Sequence, residues 1–303
     1  MNLRSKVDGQ PAYVLHTYPF RETSLIVEVF SRDFGRMALL ARGARRPRAA
    51  IRGLLMAFQP LEIGWAGKGE VLTLMKAEWQ GGQPLLSGET LFCAYYLNEL
   101  LMHLLPREDA HELLFARYAD MLARLGANPD GKVREADLRS FEKALLQELG
   151  YGLTLGHDEQ GAAIVASGLY TYRMEQGPIR LEHAEQAAQV VSGKTLLDLD
   201  AEDFSDPRSR LEAKQLMRTL MAYYLAGKEL ETRKIFRELQ ELCSNLASIS
   251  TTSPHCARRG APMNPIRCGV RLRLTWAAPT ASPSICVRTD AIFRMPTFAA
   301  CVK

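Results

Sequence analysis

The residues best suited to bind a ligand are arginines crowded into one short part of the chain. Between residues 32 and 52 the sequence holds seven arginines but only one acidic residue, Asp33. These arginines are Arg32, Arg36, Arg42, Arg45, Arg46, Arg48 and Arg52. A guanidinium group stays charged at physiological pH and matches phosphate oxygens with two parallel hydrogen bonds. The cluster therefore indicates polyanion binding, and the alternative is that the arginines only solubilise a surface loop.

The densest part of the cluster is the segment ARGARRPRAAIRG, residues 41–53. Two glycines and one proline interrupt its five arginines, a content that an amphipathic helix does not normally carry. A buried strand could not accommodate so many charges. The segment predicts an exposed basic loop.

Five short segments with strand character position this loop. They read AYVLHTYP, SLIVEVFS, GRMALLAR, PLEIGWAG and EVLTLMKAEW within residues 11–79. Alternation is clearest in SLIVEVF, where Leu25, Val27 and Val29 share one face. Turn residues separate the segments, and five closely spaced strands predict a small closed barrel of the OB-fold type.

Two aromatic residues near the basic segment are candidates for stacking on nucleic-acid bases, because OB-folds combine cationic grooves with aromatic platforms. They are Phe34, in the turn before the third strand, and Trp65, in the fourth strand. The alternative interpretation is that both rings fill the barrel interior.

The net charge of +4 is unevenly distributed along the chain. Residues 1–80 carry 12 Lys and Arg against 7 Asp and Glu, and residues 243–303 carry 8 against 1. The part between them is acidic, so the pattern indicates at least one surface that faces a polyanion. Cys93 is the single cysteine before residue 243 and is predicted to be buried. The cysteines lack CxxC spacing, which argues against a zinc site.

Helical periodicity replaces the strand pattern from about residue 88. It predicts helices up to Leu105, over HELLFARYADMLARLG and over VREADLRSFEKALLQELGYG, with later ones in TLLDLDAEDF, RLEAKQLMRTLMAYYLAG and ETRKIFRELQEL. We predict an α+β protein with an OB-fold nucleic-acid-binding domain at 1–82 and an α-helical domain at 83–242. The helical domain has an irregular insert at 151–193, and residues 243–303 form a basic, disordered tail.

No catalytic or cofactor site is predicted. Gly193-Lys194-Thr195 lacks the preceding glycine of a phosphate-binding P-loop and is better explained as the start of a helix. The histidines form no HxH or HExxH pair and are expected to be solvated, and no GxSxG motif is present. The chain also lacks a signal peptide or a membrane-spanning apolar run, which predicts a cytoplasmic protein.

The sequence resembles the bacterial RecO family of DNA-repair proteins. The resemblance rests on HTYPFRETSLIVEVFSRDFGRMALLARGARRPR and LLMAFQPLEIGWAGKGEVLTLMKAEW, and then on YYLNELLMHLLP, LRSFEKALLQELGYG, VVSGKTLLDL and LAGKELETRKIFREL. These segments follow the family's order over roughly residues 10–240. Some family members have a four-cysteine zinc site after the ELGYG motif, but the insert of this chain has no cysteine, so it resembles the zinc-free branch.

The resemblance implies a non-enzymatic mediator of homologous recombination associated with the nucleoid. RecO-type proteins bind single- and double-stranded DNA, anneal complementary strands and, with RecR, help RecA replace single-strand-binding protein. The resemblance also implies that Arg139 and Leu149 bind the acidic C-terminal tail of single-strand-binding protein. The tail after residue 242 has no family counterpart, and is either an out-of-frame extension or a basic arm that adds DNA affinity.

Two other functions stay open on the residues alone. One is an RNA-binding OB-fold protein, since phosphate contacts do not distinguish DNA from RNA. The other is an enzyme that uses the acidic helical domain, although no catalytic constellation supports it.

Overall fold

The structure is a computed structural model that describes residues 5–128, 135–239 and 241. Five strands form a closed barrel: β1 (Ser5–Phe20), β2 (Ser24–Ser31), β3 (Gly35–Ala41), β4 (Pro60–Gly67) and β5 (Val71–Trp79). The strand order is β1-β2-β3-β5-β4, with β3 and β5 parallel and the other pairs antiparallel. This is the OB-fold expected from the sequence, and the five predicted strands are confirmed.

The barrel interior is apolar because alternate residues of each strand point inward. Val27 and Val29 of β2 lie in this interior, and Leu25 packs against it, as the alternation predicted. The opposite face of β2 carries Phe30, which belongs to the core of the helical part. Both faces of β2 are therefore buried along part of its length, one against the barrel interior and one against helices.

An irregularity in β1 adapts the barrel to the helices. The pairing of β1 with β2 shifts between Val14 and His16. Val14 belongs to the barrel interior, whereas Leu15 is buried in the helical core. The backbone oxygen of Leu15 accepts a hydrogen bond of 2.8 Å from the buried Asn98 amide. This contact anchors the outer face of β1 to the first long helix.

The helical part begins after the barrel. The described helices are the short α1 (Ala50–Leu54), between β3 and β4, and then α2 (Gly88–Leu104), α3 (Glu112–Ala127), α4 (Glu135–Glu148), α5 (Gly193–Asp200) and α6 (Pro207–Tyr224). Residues 231–239 are also helical. Each of the predicted helices is present where its residues are described, and Cys93 is buried in their core. Among the described residues, no helix combines the length and the apolar character that a membrane span needs.

The insert at 151–193 is more regular than predicted. It contains a three-stranded antiparallel sheet, made of β6 (Leu169–Arg173), β7 (Gly177–Leu181) and β8 (Val191–Ser192). A short 3₁₀ turn, Ala184–Gln186, precedes β8. The strands have two to five residues, too few for the alternation that a sequence pattern needs.

Gly193 starts α5, as expected, and does not form a phosphate loop. A Cβ atom at Gly193 would lie 2.0 Å from the backbone oxygen of Val165, so only glycine fits this close approach. The first amides of the helix are occupied: those of Gly193 and Lys194 donate to backbone oxygens, and that of Thr195 donates to the Ser192 hydroxyl. These amides are therefore not free to bind phosphate.

The barrel and the helices belong to one compact unit, Met1–Ile235. Their shared core explains this, because Tyr13, Leu15 and Phe30 of the barrel pack into the helical cluster. The domain boundary at residue 82 stays a prediction, and the tail at 243–303 lies outside the described residues.

Candidate nucleic-acid interface

The basic loop connects β3 to α1 at one end of the barrel, and its backbone is fixed to the turn between β1 and β2. The Arg45 amide donates a hydrogen bond of 2.8 Å to the backbone oxygen of Thr23, and the Gly43 amide donates one of 3.4 Å to the Ser24 hydroxyl. Ala44 is fully buried in the barrel core. Gly43 has a φ of +68°, a conformation that glycine adopts without strain. The loop is therefore anchored while its long side chains point outward.

Five arginines of the predicted set are exposed on this loop and on α1. They are Arg42, Arg45, Arg46, Arg48 and Arg52. Within the described part of the chain, none of the five has an acidic partner, although Arg45 Nη1 donates 3.1 Å to the backbone oxygen of Arg21. Their positive charges are therefore not neutralised by carboxylates and are accessible to an anion.

The other two predicted arginines lie elsewhere. Arg32 follows β2 at the opposite end of the barrel, where its side chain bonds the Asp33 carboxylate at 2.6 Å. Arg36, in β3, is partly buried and donates 2.6 Å to the backbone oxygen of Met102. Burial lowers the pKa of Arg36, although the nearby Glu28 carboxylate opposes this effect. Arg36 therefore connects the barrel to α2, and its assignment to the exposed phosphate-binding set is corrected because the side chain is partly buried against that helix.

The stacking prediction is wrong for Trp65, because its side chain is only 1% exposed and fills the barrel interior. Phe34 is partly buried and packs edge-on against Trp65, with ring centroids 5.1 Å apart at 86°. Both rings pack in the barrel core, as the alternative interpretation expected. An alternating strand gave the correct period but did not show which face of β4 points inward.

Sequence reasoning missed two arginines beside the outer face of β1 and β2. Arg21 is exposed in the β1–β2 turn and lies over the ring of Phe20, 5.2 Å from its centroid. Arg107, after α2, bonds the carboxylate of Glu28, a residue only 2% exposed. Glu28, an acidic residue inside the apolar strand β2, was a signal for its pair with Arg107, because a buried carboxylate needs a cationic partner.

Arg139 and Leu149 are both in the helical part but have different surroundings. Arg139 is 8% exposed and bonds Glu142 at 2.9 Å, and the Tyr96 hydroxyl donates 2.5 Å to the same carboxylate. Leu149 instead lines a pocket of about 390 Å³. Its other lining residues are His103, Leu104, Leu105, Pro106, Asp109, His111, Glu148 and Tyr151. Arg139 does not line that pocket, so the two residues do not form one site there.

The histidine at position 111 differs from the expectation that histidines are solvated. It is only 9% exposed, and its Nε2 atom has no hydrogen-bond partner among the described residues. The carboxylates of Asp109 and Glu148 lie 3.5 and 3.8 Å from its ring nitrogens. Within the described ranges, no group of three or more His, Cys, Asp or Glu residues is arranged to hold a metal ion.

A five-stranded OB barrel with an anchored arginine loop, joined through a shared core to a helical part, places the chain among the OB-fold proteins, a class that binds oligonucleotides or oligosaccharides. Comparison with known proteins narrows the class. Residues 8–82 match the family model "Recombination protein O N terminal", and residues 85–234 match "Recombination protein O C terminal". The chain belongs to the RecO family of DNA repair proteins.

Individual relatives agree with the family models. The chain is 84% identical over 242 residues to the DNA repair protein RecO of Dechloromonas aromatica, which covers 80% of this chain and all of the relative. It is 54% identical over 246 residues to the RecO protein of an Azoarcus species and 51% identical over 243 residues to that of Aromatoleum aromaticum, again with 80% of this chain and the whole relative covered.

Proposed function

We propose that this chain is a non-enzymatic DNA-binding protein that anneals complementary strands in recombinational repair. The observation that carries the proposal is the anchored loop, with five exposed arginines and no acidic partner for them in the described structure. Membership of the RecO family supports DNA as the polyanion. The arginines are placed to bind phosphates, and this role needs no bond chemistry.

The physical basis of annealing is charge neutralisation. Two complementary strands repel each other through their phosphates, and bound guanidinium groups release counterions and reduce this repulsion. Base pairing then supplies the free energy that joins the strands. The fixed loop backbone reduces the entropy that the protein loses when it holds DNA.

We propose that the protein acts with RecR to help RecA load on DNA coated by single-strand-binding protein, in the cytoplasm at the nucleoid. The tail of single-strand-binding protein is proposed to contact Arg139 and Leu149. The pocket has a mixed lining, in which Leu104, Leu105 and Leu149 could contact the apolar end of such a tail beside the polar side chains of the other wall. Arg139 is paired with Glu142 and its Nε atom is buried, so a carboxylate of the tail could reach this guanidinium only if the side chain moved towards the surface.

The test is an annealing assay with the full chain and two complementary DNA oligonucleotides, one carrying a fluorophore and the other a quencher. We expect the protein to accelerate annealing, and the acceleration should fall steeply as salt rises because the contacts are ionic. Parallel reactions with RNA oligonucleotides of the same sequence distinguish a DNA-annealing protein from an RNA-binding one. No acceleration with DNA at any salt concentration would refute the proposal.

A further inference from the structure

The outer face of the barrel is covered by helices at one end and open at the other. At the covered end, Tyr13 pairs with Phe30, and both rings pack into the helical core. The open end carries a row of partners across four strands: Tyr18, Ile26, Leu40 and Thr73. Residues directly opposite each other share a face of the sheet. Because Val27 and Leu39 point into the barrel, this row lies outside it.

Tyr18 is the aromatic residue of this row, and 44% of its surface is accessible. The ring of His16 supports it on one side, with centroids 4.4 Å apart and planes at 59°. Phe20 follows on the same face of β1, about 6.8 Å further along the strand. The open face thus presents two neighbouring aromatic rings beside the half-buried Ile26 and Leu40.

Arginines flank this aromatic pair. Arg21 lies over the Phe20 ring, and Arg45 of the basic loop donates a hydrogen bond to the backbone oxygen of Arg21. The phosphate-binding loop of the proposed function is therefore next to the rings. On the side of Tyr18 away from Phe20, the buried Glu28 lies opposite His16 and pairs with Arg107, so this carboxylate does not oppose an approaching anion.

We propose that Tyr18 stacks on an unpaired base and so gives the protein a preference for single-stranded over duplex DNA. This inference rests on the proposed DNA binding. Base stacking on an aromatic ring tolerates any sequence, because every base has a flat π-face. Bases in a duplex are already stacked on one another, so a duplex contacts the arginines and leaves Tyr18 unused. The adjoining arginines favour a nucleic acid over an apolar protein surface as the occupant of this face.

The test compares the affinities of full-length variants for labelled oligo(dT) and for a duplex by fluorescence anisotropy over a series of salt concentrations. The variants are Tyr18→Ala, Tyr18→Phe and the control Tyr223→Ala, which removes a tyrosine of similar exposure, 48%, from α6. We expect Tyr18→Ala to bind oligo(dT) about 5- to 150-fold more weakly. Its salt dependence should not change, because no charge is lost. Tyr18→Phe, which keeps a ring, and Tyr223→Ala should bind like wild type.

The outcomes separate this inference from the proposed function. If Tyr18→Ala binds oligo(dT) within twofold of wild type, or loses duplex and single-strand affinity equally, the stacking role is wrong while DNA binding stands. If wild type binds neither DNA, the proposed function fails and the inference fails with it. Tyr18 is largely outside the core, so thermal unfolding of Tyr18→Ala should match wild type and exclude misfolding as the cause.

Discussion

Replacing Arg45, Arg46 and Arg48 with alanine removes three of the five exposed arginines that have no acidic partner in the described structure. Each lost phosphate contact should flatten the plot of log affinity against log salt by about 0.9 for duplex DNA and about 0.7 for a single strand. Three contacts therefore change the slope by about 2.7 and about 2.1. For a duplex, the loss of affinity between about 50 and 200 mM salt becomes about 40-fold smaller.

The assay is a salt titration of anisotropy with the full chain. The control removes the same charge from exposed arginines outside the barrel, two in the insert sheet and one in α6, in the variant Arg173→Ala, Arg180→Ala, Arg218→Ala. If the loop is the contact, the loop variant flattens the slope and weakens binding similarly for unrelated sequences, while the control keeps the wild-type slope. An unchanged slope in the loop variant, or equal flattening in both variants, would refute the assignment of the loop.

Further predictions concern the buried charges and the metal content. Arg139→Ala should lower the free energy of unfolding by about 3–5 kcal/mol, because it leaves the fully buried Glu142 without its cation; a wild-type denaturation midpoint would contradict this. A tail peptide of single-strand-binding protein should also bind that variant more weakly, provided the measurement is made where the variant is folded. Arg107→Ala should cost about 1–3 kcal/mol through the unpaired Glu28, and Arg107→Lys should restore part of it in the same chemical denaturation. Burial raises the pKa of Glu212, but hydrogen bonds from Ser192 and Thr195 and the contact with Arg208 outweigh it and hold the pKa at about 2. Because this pKa is lowered on folding, the ionised Glu212 stabilises the fold above about pH 4.5 and loses this effect as the pH falls towards 2. Glu212→Gln should therefore have a lower free energy of unfolding than wild type at pH 7. The difference between the two proteins should shrink in acid. Elemental analysis of the purified protein should find no stoichiometric zinc, and about one zinc per chain would overturn the assignment to the zinc-free branch.

Local sequence determined the elements of this protein. Alternating apolar residues in SLIVEVFS and turn residues beside it suffice for β2, because a strand's side-chain period and a turn's backbone requirements act over a few residues. Pro106 marks the end of α2, as predicted. The arginine, glycine and proline content of residues 41–53 indicated a loop, and the structure has a loop there that ends in the short helix α1. The small sheet of the insert was missed because its strands are too short for a repeating pattern.

Only the tertiary structure decided which of these side chains are accessible. Arg36 and Arg46 have the same chemistry, yet Arg36 bonds a backbone oxygen of α2 while Arg46 is exposed. The sequence singled out Trp65 as a stacking residue, whereas the fold buries it and leaves Tyr18 open. Burial depends on contacts between residues far apart in the chain, and the helices cover one end of the outer barrel face but not the other. The sequence alone therefore determined the strands, the helices and the basic loop, and the packing of helices on the barrel decided which arginines and aromatic rings can meet a ligand.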